Sequence, residues 1–106
     1  MRALGFYPSD KNLLLKTIEE NSFSDKKFDN VKGCILPHAG YSFCGSVIGK
    51  TLQSFDIDKK KICVLGPNHM GMDTFLDNGD WNTPLGEVKI NEDLDLNKHS
   101  SMEHSI

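Results

Sequence analysis

Residues 31–45 read VKGCILPHAGYSFCG. The short apolar run Cys34-Ile35-Leu36 is broken by Pro37. Proline has a fixed φ and no amide to donate, so it closes a strand. Gly40 then opens a run with apolar residues at Cys44, Val47, Ile48, Leu52 and Phe55. That spacing marks one face of an α-helix. Gly45 and Gly49 lie one turn apart within it, a cost in helix propensity that close packing against a neighbour would explain. Further on, residues 61–71 read KICVLGPNHMG, a second apolar run that also ends in proline. Strands over 31–36 and 61–66 with a helix between them make one βαβ unit. Its strands run parallel and its crossover is right-handed. The expected fold class is therefore α/β, a βαβ-containing sheet with helices packed on it.

On the N-terminal side, Ser9-Asp10-Lys11-Asn12 reads as a helix start. Ser9 can cap it, and Asp10 suits the positive end of the helix dipole. The helix runs to about Asn21 and buries Leu14 and Ile18 with help from Leu15. Residues 22–30 are polar and read as a loop, and 71–82 read as irregular. Glu87-Val88-Lys89-Ile90 alternates polar and apolar, as a half-buried strand does. Asn91-Glu92-Asp93 can begin a further helix.

Composition narrows the function classes. The 106 residues suit one small domain. A formal net charge of −3 and the lack of a basic stripe argue against nucleic-acid binding by bulk charge. Lys59-Lys60-Lys61 reads as the solvated entry to a strand. No apolar stretch approaches the roughly 20 residues of a membrane span, and the first residues lack a signal-peptide core. A cytoplasmic protein is expected. Three cysteines with no CxxC pair favour neither a disulfide framework nor a thiolate zinc site. Cys34, Cys44 and Cys63 are read as core residues.

The two prolines lead to the candidate site. His38 follows the first predicted strand and His69 the second. Parallel strands present ligands at their carboxyl ends, so both imidazoles are expected at one sheet edge, able to share a metal ion. Gly40 lets the chain turn tightly into the helix, whose N-terminus suits an anion. Tyr41 and Asn68 stand beside the histidines with hydrogen-bonding groups. The plainer alternative makes each histidine a satisfied loop residue. Asp73, Asp77 and Asp80 are carboxylates that could complete a two-histidine triad, or surface turn residues. Glu103 is a capping or surface residue, with metal ligation as its alternative. His99 reads as solvated, and Trp81 as packing a loop against the sheet, with lining the pocket as its alternative.

Five motifs occur in order: Gly5-Phe6-Tyr7-Pro8, Pro37-His38-Ala39-Gly40-Tyr41, Gly66-Pro67-Asn68-His69, Trp81-x-Thr83-Pro84-Leu85-Gly86 and Glu103-His104-Ser105-Ile106. Together they resemble the Memo family, whose prokaryotic members are called AmmeMemoRadiSam system protein B and whose human member is mediator of cell motility. The resemblance implies a fold like the class III extradiol dioxygenases of the LigB type, which use non-haem iron(II). It maps two pocket histidines onto His38 and His69, beside Gly40, Tyr41 and Asn68, and its last motif offers His104 as a pocket residue, with a frayed C-terminal position as the alternative. It implies Fe(II) or Cu as the metal, and a small aromatic or anionic ligand or a phosphopeptide as partner. Association with radical SAM and AMMECR-type proteins follows from the family name. Whether the family's prokaryotic members catalyse a reaction stays open. A non-catalytic anion-binding module and a fragment with no assembled site are the alternatives. Residues 1–106 correspond to the N-terminal portion of a Memo-like domain, a truncated form whose C-terminal part, with the third metal ligand, is expected to be absent.

Overall fold

The computed structural model describes residues 5–58, 61–67, 71 and 80–90, and the backbone of 76–77 and 98–99. Helix α1 spans Lys11–Asn21 and α2 spans Tyr41–Gln53. Four short strands follow: β1, Leu76–Asp77; β2, Trp81–Thr83; β3, Gly86–Val88; and β4, Lys98–His99. β1 pairs with β4 in parallel, and β2 pairs with β3 as an antiparallel hairpin.

Helix α1 starts one residue later than Ser9 capping would place it. Asp10 is the N-cap, and its carboxylate accepts the Leu13 amide at 2.8 Å. This satisfies one amide that the first turn leaves open. Leu14 is buried and Ile18 half-buried, as the periodicity expects. Leu15 is exposed, because its position turns away from α2.

The two helices pack on each other, with Leu14, Cys44 and Ile48 buried. Gly49 explains how closely they approach. A Cβ there would fall into the backbone carbonyl of Asn21, at the end of α1. Backbone cannot step aside as a side chain can, so only glycine fits. Gly45 differs: a Cβ there would make ordinary contacts with the Tyr41 Cβ at 3.5 Å and Asn21 Nδ2 at 3.7 Å. Only one of the two glycines is required by packing.

The far end of α2 is tied to the predicted loop over 22–30. Phe28 N donates to Ser54 O at 2.7 Å, and Lys27 Nζ donates to Gln53 O at 2.7 Å. The lysine brings positive charge to carbonyls that the helix end leaves open.

The hairpin corrects part of the sequence reading. A strand over 87–90 is expected; β3 ends at Val88, which is exposed, and its partner β2 lies in the stretch read as irregular. The Thr83 hydroxyl stabilises the turn, donating to Gly86 O at 2.8 Å and accepting Leu85 N at 3.2 Å. Gly86 has φ +136°, which a side chain rarely tolerates. Asp80 clasps the open end, accepting Lys89 Nζ at 2.8 Å and Ile90 N at 2.9 Å.

The larger correction concerns 31–36 and 61–66. Both are expected to be strands, and neither is helix or strand in the structure. Ile35 is 97% exposed and Leu65 91%. A strand exists only against a hydrogen-bonding neighbour, and parallel strands are covered on both faces. Among the described residues, no backbone group of 31–36 or 62–66 is paired. The local pattern for a βαβ unit is present, but the described structure does not contain the sheet. The helix start proposed at Asn91 lies outside the described residues.

Candidate functional site

The site is built around the turn that carries His38 into α2. Pro37, His38 and Ala39 are half-buried, and Gly40 is buried. Gly40 is the N-cap with φ −63°, a value any residue adopts, so freedom to turn is not why glycine stands there. Its reason is close approach, since a Cβ would lie 3.2 Å from Phe6 O. That carbonyl accepts the Tyr41 amide at 2.7 Å. The Gly5-Phe6-Tyr7-Pro8 motif therefore docks onto the Pro37–Tyr41 motif through backbone atoms.

Below the turn lies Cys44. Its buried thiol donates to Ala39 O at 3.0 Å, with Gly40 O at 3.6 Å. These contacts hold the His38 turn against the helix and leave Cys44 a packing residue, as the sequence reading expects. Cys34 and Cys63 are exposed and correct the same expectation, because the sheet that would cover them is missing from the described residues.

The helix N-terminus is less open to an anion than the sequence suggests. The Tyr41 amide is engaged by Phe6, and the Phe43 amide folds back onto Gly40 O at 2.9 Å. An anion at this end would have to displace one of these bonds to use either amide.

Beside the turn is a cavity of about 90 Å³ lined by Tyr7, Leu14, Ile18, Tyr41, Trp81, Thr83 and Leu85. The Tyr7 and Tyr41 rings are tilted at 50° with centroids 5.7 Å apart, within the range of favourable aromatic pairs. Burial pushes the Tyr41 hydroxyl pKa up, and nearby Tyr7 and Cys44 add to the shift. Tyr41 thus stays protonated, able to donate a hydrogen bond. Three motifs meet here, with Tyr7, Tyr41 and Trp81 as their contributions. Tyr7 is the residue the site reading missed. The Gly5–Pro8 motif, which carries it, was the available signal.

Asp80 is occupied elsewhere. Its hydrogen bonds to Lys89 and then Ile90 hold its carboxyl below the usual value near 3.8, and this pairing assigns it to the hairpin rather than to a metal. Asn68, His69, Asp73, Glu103 and His104 lie outside the described residues. Among the described residues no group of three His, Cys, Asp or Glu side chains could hold a metal ion. The structure thus places His38, Gly40 and Tyr41 together and leaves the meeting of His38 with His69 untested. No described helix is long and apolar enough to cross a membrane.

A helix pair and a hairpin are joined through these motifs. The family model described as Memo-like protein matches residues 2–105, and the chain belongs to that family. It is 34% identical over 91 residues to a MEMO1 family protein of Archaeoglobus fulgidus, covering 84% of this chain and 34% of that one. A MEMO1 family protein of Saccharolobus solfataricus is 34% identical over 112 residues, covering 90% and 39%. One from Saccharolobus islandicus is 32% identical over the same length and shares. The chain thus spans between 34% and 39% of the length of these curated relatives. No solved structure matches it.

Proposed function

We propose that this Memo-family chain contributes His38 and His69 as the histidine half of a metal site, on a fold resembling the class III extradiol dioxygenases. The supporting observation is how His38 is seated. Its turn is braced from below by the Cys44 thiol and from the side by the bond between Phe6 O and Tyr41 N. A half-buried imidazole on a braced turn is positioned in advance, which metal ligation needs. The neutral imidazole fits iron(II) or copper as a donor. Further ligands come from outside the described residues.

A bound iron(II) or copper ion would supply redox chemistry and open positions for a small aromatic or anionic ligand. The chain's own residues do the rest. Tyr41 offers a hydroxyl proton from a partly desolvated position, and Tyr7 and Trp81 wall the adjoining cavity. Anion binding without a metal is the weaker reading, because two of the amides it would use are already bonded.

Calorimetric titration of the chain with Fe(II) and with Cu(II) tests the proposal. Saturable binding weakened about 100-fold in His38→Ala and in His69→Ala is expected, the scale on which removing a ligand or its support acts. Equal affinity in both variants and the parent chain sinks it.

A further inference from the structure

The cavity beside the His38 turn has a chemistry of its own. Leu14 is buried at its helix side, Tyr7, Ile18, Tyr41, Trp81 and Thr83 are half-buried, and Leu85 is exposed, so the space is recessed but reachable from solvent. Among the described residues no charged side chain lines it. The Thr83 hydroxyl is already engaged by Gly86 O and the Leu85 amide. An anion would find no counter-charge there. A primary ammonium would leave N–H groups short of acceptors.

Volume narrows the guest further. An apolar cavity of about 150 Å³ takes benzene. This one measures about 90 Å³, room for a compact group but not for an aromatic ring. Two compact, weakly hydrated groups remain, a branched alkyl and a methylated ammonium. Aliphatic walls would serve the first. Here three of the seven lining residues are aromatic, in a chain that is 8% aromatic. The Tyr7 and Tyr41 rings are tilted at 50° rather than stacked, so the pair does not close its faces on itself. The faces of such rings attract cations, tryptophan most strongly, and a methylated ammonium carries its charge on a surface of methyl groups.

We propose that Tyr7, Tyr41 and Trp81 form an aromatic cage for a methylated ammonium group. Leu14, Ile18 and Leu85 cover the methyl groups that the rings do not. The assignment is independent of the metal reading, since none of the three aromatic residues is a proposed metal ligand.

Calorimetric titration of the 106-residue chain in the presence of a chelator tests the cage without any metal. Tetramethylammonium and choline are expected to bind saturably at one site. 3,3-Dimethyl-1-butanol has the shape of choline without its charge, and should bind at least about 10-fold more weakly. Trp81→Leu should weaken choline at least about 10-fold, with the helix signal in circular dichroism unchanged. Tyr41→Phe keeps the ring and should stay within about 3-fold of the parent chain. Choline in solution and phosphatidylcholine in vesicles carry the same group. Choline binding with co-sedimentation on such vesicles assigns a lipid source, and choline binding without it a soluble one. Three results overturn the proposal: no saturable binding of either cation, equal affinity for the neutral alcohol, or unchanged affinity in folded Trp81→Leu. The second of these is read on the unaltered chain, so it decides the matter even where a variant fails to fold.

Discussion

The helix pair and the two segments flanking α2 both carry apolar residues, yet among the described residues the buried ones lie on the helices. Leu14, Cys44 and Ile48 are covered; Ile35 and Leu65 are almost bare. The difference lies in where each element finds its partner. A helix satisfies its backbone within itself, and its apolar stripe needs only one neighbouring surface. Asn21 and Gly49 provide that by letting the two backbones approach. A strand has no internal hydrogen bonds and must borrow them from another strand. Apolar content alone therefore does not decide burial.

The contrast can be broken most directly at Leu14. Leu14→Ala should cost about 2–4 kcal/mol by chemical denaturation, the usual range for a buried leucine. A cost near zero would mean that the helix pair is no core at all. Gly49→Ala should cost about 1–3 kcal/mol, since the Asn21 carbonyl must move. Gly45→Ala should be neutral or gain up to about 1 kcal/mol from helix propensity; equal effects at both glycines would refute the packing argument. Asp10→Ala should cost about 1 kcal/mol through loss of the cap, read as fraying of α1 by circular dichroism.

Smaller effects are expected outside the pair. Ile35→Ser and Leu65→Ser should change the stability of the isolated chain by no more than about 0.5 kcal/mol. A large loss at either position would show that the segment is covered after all. Asp80 should reveal itself by pH. Its carboxyl titrates below the usual value, so the hairpin gains from the charged form. That gain is present above about pH 4 and disappears as pH falls through the folded value. Fluorescence of the single tryptophan, Trp81, should report the change on acidification, and Asp80→Asn should remove this dependence.

These differences also explain what could be read from the sequence. Both helices were legible because period and caps are local; Gly40 and the spacing from Cys44 to Leu52 set α2 to within a residue or two. The strands at 31–36 and 61–66 were written in the same local code, but their formation depends on non-local neighbours, which no local pattern supplies. At the site, the ordered motifs pointed to His38, Gly40 and Tyr41. They did not reveal that Phe6 O would occupy the Tyr41 amide, or that Tyr7 would share a cavity with Trp81. Those contacts join residues far apart in the chain. Asp80 looked like any other turn carboxylate until the hairpin register set it opposite Lys89.

The bond between Phe6 and Tyr41 also constrains the order of folding. It closes a loop of thirty-five residues, an entropic cost on the order of 3 kcal/mol. Contacts of that sequence separation form late unless nearby packing has already shortened the loop. The α1–α2 contact does so, bringing residue 21 against residue 49. Helix docking would therefore precede the seating of the Gly5–Pro8 motif, and the turn carrying His38 would acquire its final brace last. In a growing polypeptide, residues 5–8 would wait for the second helix before taking up their place.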